Sequence, residues 1–397
     1  MALKKRKKIF IRVILLIVIV VIVLVGYISL LTKRTTGPAH TNSIDETLSL
    51  NSHKVITDKA KMTEARFKDL AFAKSKNPLL FSSQTAAVVR TVKSLAKSLK
   101  HKPVSKEYST WIWTPVLLMT NDYIQNILSG AKVNGINTIY LSIDSYLDIF
   151  SMKEGPEKDR EKEKFDKKVF QFIQEADKNG ISVDAEGGWR NWAESGNEYK
   201  ALAVLDYVKE FNSTHSLKFS GFQYDVEPYL LLKYKIMPTA VLRNFVALVD
   251  KTENFLSPKK LRFSVVVPDF WDEIDKVVPI FEYQNKEGSV IIHLLDILDK
   301  NDENALIVMA YRNFAKGTDG SIEISNNEME TARSGLYNTK VIIAQETGDF
   351  PPPYITFHGM SKDYFNEQLT MIDQALGNNP NFGGFAIHYV NTLLELK

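Results

Sequence analysis

Cysteine is absent from this 397-residue chain. That excludes disulfides, a thiol nucleophile and any cysteine metal site. Histidine is scarce: seven are scattered, with no HxH or HExxH spacing. Neither a metal site nor a metal cofactor is expected. The nucleotide-binding GxGxxG turn is missing as well, and no internal repeat is visible. What remains is 44% hydrophobic, 24% charged and 11% aromatic, which suits a globular chain and excludes a largely disordered one.

Residues 1–34 carry eight Lys and Arg and no acidic residue. The chain has 50 bases in all; without those eight, 42 face 47 acids, a net of −5. The formal charge of +3 therefore belongs to the N-terminus. A mildly acidic body argues against nucleic acid as a partner.

Residues 13–31 run nineteen positions without a charge. At a rise of about 1.5 Å per residue they roughly cross a ~30 Å hydrocarbon core. Lys4, Lys5, Arg6, Lys7, Lys8 and Arg12 precede the run, and Lys33 and Arg34 follow it. The positive-inside rule places residues 1–12 as a cytoplasmic basic tail and everything past residue 34 outside the cell. A cleaved signal peptide is the competing reading. The run exceeds an ordinary signal core, and no A-x-A-like site follows it.

Residues 32–107 are polar and read as an extracytoplasmic stalk with helical segments. Val88, Val92, Leu95 and Leu99 fall at helical spacing there, on a helix that either packs on the body or lies on lipid. From about residue 108 short apolar runs alternate with helical periods. The runs are 111–118, 138–143, 181–188, 219–227, 261–269, 305–311, 340–346 and 384–390. Helical stripes include Ile124, Ile127, Leu128 and Ala131, and Phe365, Leu369, Ile372 and Leu376. Strands apolar almost throughout are buried on both faces, hence parallel. Eight strand–helix units over residues 108–397 predict an α/β fold, a (β/α)8 TIM barrel, ahead of an open doubly wound sheet.

The site of such a barrel lies at the C-terminal strand ends. Sampling those ends gives Trp113, Asp144, Glu186, Trp189, Asp225, Glu227, Asp269, Trp271, Tyr311, Arg312, Glu346 and His388. Carboxylates among aromatic rings suit a carbohydrate. Cleaving a glycosidic bond needs an acid for the leaving oxygen and a second carboxylate for the oxocarbenium-like transition state. Asp225 and Glu227 are two residues apart, so strand alternation points both into the mouth. Crowding raises one of their pKa values and holds a proton near neutral pH.

Ser220–Glu227, SGFQYDVE, resembles the DGxDxDxE signature of glycoside hydrolase family 18, the chitinase-like barrels. EGGW at 186–189 looks like that family's SxGGW, and Met309-Ala310-Tyr311 like its MxY. The resemblance implies Glu227 as general acid, with Asp225 and Tyr311 positioning an N-acetylated substrate. Ser220 and Gln223 replace the signature's first two aspartates, Arg312 replaces an Asp, and His388 stands where a Trp is common. A second resemblance is to retaining clan A glycosidases, whose strand-7 nucleophile would be Glu346. Trp113, Asp144, Glu186, Trp189, Gln223, Asp269, Trp271, Arg312 and His388 are expected to contact substrate, and no cofactor is expected. The resulting expectation is an anchored glycosidase of a cell-wall or extracellular polysaccharide. A carbohydrate-binding barrel without catalysis is the alternative. Any one of these acids and rings, taken alone, also reads as a core or surface residue.

Overall fold

The computed structural model describes residues 106–259, 261–272 and 278–397. The expected basic tail, transmembrane helix and nearly all of the stalk, with its helix at 84–100, lie outside the described residues. Among the described residues, no helix is long and apolar enough to cross a membrane.

Eight parallel strands close into a barrel. In chain order these are β1 (Glu107–Ile112), β2 (Thr138–Ser142), β3 (Ser182–Gly187), β4 (Gly221–Tyr224) and β5 (Arg262–Pro268). After an antiparallel hairpin, β6 (Phe281–Tyr283) and β7 (Lys286–Gly288), come β8 (Ala305–Met309), β9 (Lys340–Glu346) and β10 (Phe382–His388). Each barrel strand pairs with its neighbour in the chain, and β1 closes the ring on β10 with Thr110 opposite Ile387.

Two strands differ from expectation. The first is expected at 111–118, but Pro115 has no N–H for a ladder, and Val116–Leu118 form a 3-10 turn instead. The strand starts at Glu107, within the range assigned to the stalk. The fourth stops at Tyr224, so Asp225 and Glu227 stand just past its end. The β6–β7 hairpin is an addition to the expected elements. Its two-residue turn, Gln284-Asn285, has φ of 50° and 62°, the mirror-image geometry that matches strand twist, without the glycine that usually advertises it.

The predicted stripes are the buried faces of the outer helices. Ile124, Ile127, Leu128 and Ala131 face inward on α1 (Asn121–Val133), whose first turn is capped by the Thr120 side chain accepting from Tyr123 N–H. Phe365, Leu369, Ile372 and Leu376 do so on α2 (Lys362–Leu376), capped by Ser361. These faces and the outer sides of the strands form one apolar cluster; a second fills the barrel interior with Trp111, Tyr140, Val266, Ile307 and Ile342. Each large apolar side chain so buried contributes roughly 1.5–3 kcal/mol. The N-terminal end of the barrel is closed by a polar plug. Arg262 Nε lies 2.7 Å from Asp184 Oδ2, and the same guanidinium reaches Ser182 Oγ at 3.0 Å. The plug leaves the opposite end as the open mouth.

Candidate active site

A cavity of about 760 Å³ opens at the C-terminal strand ends. Asp225 and Glu227 both line it, while Val226 between them is buried on the other side. The alternation expected of a strand thus persists beyond the last ladder hydrogen bond. The Tyr229 hydroxyl donates to Glu227 Oε1. Its ring is held edge-on by Phe270 at 5.3 Å and Trp271 at 6.2 Å. The general-acid candidate is therefore oriented by a ring that is itself packed.

Asp144 and Glu186 complete an acidic wall around Gly187-Gly188. Gly188 N–H donates to Asp144 Oδ2 at 3.2 Å. A Cβ on Gly188 would lie 2.4 Å from the Asp225 carbonyl oxygen and 2.8 Å from Glu186 Oε1. Only glycine at 188 lets the end of β3 pack this closely on the Asp225 backbone and the Glu186 carboxyl. Burial pushes the Asp144 carboxyl up to about 7, against the pull of the Gly188 N–H. Burial, followed by the charge of Glu227, pushes Asp225 up to about 7, with His388 opposing. Glu186 rises well above the usual carboxylate range through burial and then through Asp144 and Asp225. The cluster therefore retains protons at neutral pH.

Behind this wall runs a second line of contacts. Trp113 Nε1–H donates to His388 Nε2 at 3.0 Å, and His388 Nδ1 lies 2.7 Å from Glu346 Oε2. Because Nε2 accepts, the ring proton resides on Nδ1 and points at Glu346. The other Glu346 oxygen accepts from Gly348 N–H at 2.5 Å.

No protein-family model matches this chain, and no curated protein does. Solved structures do share its architecture. A family 18 chitinase from Pseudoalteromonas aurantia is 13% identical at a TM-score of 0.44, over 71% of this chain and 93% of that one. An endo-1,4-β-mannanase from Rhizomucor miehei is 11% identical at 0.45, over 72% and 86%. The spore cortex-lytic enzyme SleL of Bacillus megaterium QM B1551 is 12% identical at 0.42, over 74% and 73%. Likeness at this level carries nothing about chemistry, which rests on the residues of the site.

Seven of the expected residues meet in the one cavity: Trp113, Asp144, Glu186, Trp189, Asp225, Glu227 and His388. Others do not, and each has a physical reason. Glu346 is 3% exposed with both oxygens engaged, so it orients His388 and is not placed as a nucleophile. Gln223 is fully buried, and its Oε1 accepts from Trp111 Nε1 at 3.1 Å, away from any substrate. Trp271 is fully buried against Phe245, with ring centroids 5.6 Å apart. It packs the core and cannot contact a sugar. Asp269 and Arg312 pair with each other at 3.6 Å outside the cavity wall, and Arg312 also binds Asp319 at 2.7 Å. Tyr311 is half-buried on the interior apolar cluster rather than in the cavity wall. Burial, then Glu346, Asp225 and Glu227, holds its hydroxyl well above the usual range and so protonated. Sequence reasoning missed Tyr229 as a functional residue; its place two positions after Glu227 is the signal that could have found it. Among the described residues, no three His, Asp or Glu side chains are grouped to hold a metal ion.

Proposed function

We propose that this protein is a glycoside hydrolase. Asp225 and Glu227, side by side in a cavity of about 760 Å³, carry that reading. Asp225, raised to about 7, holds a proton into the neutral range beside Glu227. Glu227, oriented by Tyr229, delivers a proton to the bridging oxygen of the bond being cleaved. Asp225 holds the reacting sugar in register beside it. Trp189, 57% exposed at the rim, and the half-buried Trp113 offer flat faces to sugar rings. Tyr311, kept protonated by burial and the nearby acids, acts on the site from the interior cluster rather than by touching the sugar. The test is release of reducing ends from a broad glycan panel. Wild-type protein releases them, and Glu227→Gln cuts the rate by roughly 10²–10⁴-fold without loss of fold. A Glu227→Gln variant as active as wild type removes the assignment.

A second reading, a carbohydrate-binding barrel without catalysis, is favoured by one observation. Where the family 18 signature has a proton-sharing aspartate, Gln223 is locked onto Trp111. Saturable glycan binding with no reducing ends released from any member of the panel would select it.

The substrate is proposed to be a cell-wall or extracellular polysaccharide, because residues 13–31 and their basic flank read as an outward-facing anchor in the lipid bilayer. Protease added to intact cells should remove the barrel, and the chain should resist alkaline extraction from membranes. Loss of membrane association on deleting residues 1–34 is the matching result.

A further inference from the structure

The cavity wall contains more carboxyl groups than bond cleavage uses. Asp144, Asp148, Glu186, Asp225 and Glu227 line it, and Lys200 is its one lysine or arginine among the described residues. Glu186 is the telling member. Only 1% exposed, it faces this cavity, yet neither of its carboxylate oxygens makes a hydrogen bond of good geometry. Ser142, opposite it on β2, opposes the rise in its pKa without offsetting it. Asp144 Oδ1 and Asp225 Oδ1 are also without partners. Buried carboxylate oxygens left bare cost several kcal/mol unless something supplies donors or charge. In a packed core such an arrangement would be selected against; at a cavity wall it is set to receive donors from a ligand.

A sugar hydroxyl offers one hydrogen and no charge. A protonated primary amine offers three N–H donors and a full positive charge, matching several converging oxygens at once. Resting on the glycosidase reading of the same cavity, we infer that the acidic wall formed by Asp144, Glu186 and Asp225 is a subsite for the free ammonium group of an amino sugar. The substrate class is then a polysaccharide bearing de-N-acetylated hexosamine units. The amine-bearing unit sits on Asp144 and Glu186, beside the unit whose bond faces Glu227. Trp189 stands on the same wall, where its exposed face suits a sugar ring or the cation itself. An N-acetyl group on that unit carries no charge and offers one N–H where the amine offers three.

The experiment is equilibrium binding, with hydrolysis followed separately. The 397-residue chain is titrated with tetramers of glucosamine, N-acetylglucosamine and glucose, each in β-1,4 and β-1,6 linkage. The glucosamine tetramer of at least one linkage is expected to bind tenfold or more tighter than both counterparts. In Glu186→Gln the ratio of those affinities should fall toward one, with circular dichroism reporting the fold. Equal or weaker binding of the amine tetramers in both linkages overturns the subsite. That comparison needs only wild-type protein, so a misfolded variant cannot obscure it. Amine-selective binding with no glycan hydrolysed removes the glycosidase reading and leaves the subsite standing. Hydrolysis of neutral or N-acetylated glycans without amine preference does the reverse.

Discussion

His388 Nδ1 and Glu346 Oε2 lie 2.7 Å apart, and this contact, not the cavity, is where the Glu346 carboxylate is engaged. Removing it frees the imidazole that contacts Trp113 at the cavity wall. Glu346→Ala should lower kcat by about 10–100-fold, the scale for losing a group that orients another. Added azide should not restore the rate. Azide rescue with formation of a glycosyl azide is the signature of a missing nucleophile, and its appearance would return Glu346 to that role.

Tyr229→Phe removes the side-chain hydrogen bond that orients Glu227 while keeping the ring packed on Phe270 and Trp271. We expect kcat to fall roughly tenfold, in line with about 1–1.5 kcal/mol for one hydrogen bond. KM and melting temperature should change little. A large fall in melting temperature with kcat intact would make Tyr229 a packing residue only.

The pH dependence follows from Asp144 and Asp225, each raised from 3.8 to about 7. Glu186, Glu227 and His388 are the other titratable groups facing them. In the unfolded chain these aspartates lose their protons near pH 4; in the folded protein they keep them to about 7. The folded state thus binds more protons across that window, and stability contributed by these groups declines as pH rises from about 4 to about 7. Asp225→Asn should match wild type near pH 4 and exceed it by on the order of 1–3 kcal/mol at pH 8, read by urea melts. Activity should also fall as pH rises past about 7, as Asp225 gives up its proton.

Arg262→Leu tests the polar plug at the closed end of the barrel. It strands Asp184, 2% exposed, whose carboxyl burial already pushes up and Arg262 pulls back down. A loss of about 3–5 kcal/mol is expected from breaking a buried pair on one side. Replacing both members, Arg262→Leu with Asp184→Leu, should recover part of it. A single variant as stable as wild type would show that the plug is not what closes this end.

Periodicity in the chain pointed to the barrel, ahead of an open sheet, and determined its helix faces. Residues that recur at helical spacing, such as Ile124 through Ala131, have one face to bury, and eight doubly buried strands imply a parallel sheet, which the structure closes into a ring. The pairing of Asp225 with Glu227 was also legible, since a two-residue step returns a side chain to the same side. What the sequence left undecided was which strand-end residues share space. Trp271, Gln223 and Glu346 occupy the expected positions along their strands, but neighbours distant in the chain (Phe245, Trp111 and His388) claim their side chains. The bare oxygens of Glu186 are likewise a fact of three strands meeting at Gly187-Gly188. Local spacing dictates direction along a strand. Burial, partners and protonation depend on what the closed barrel brings alongside, and only the tertiary structure decided those.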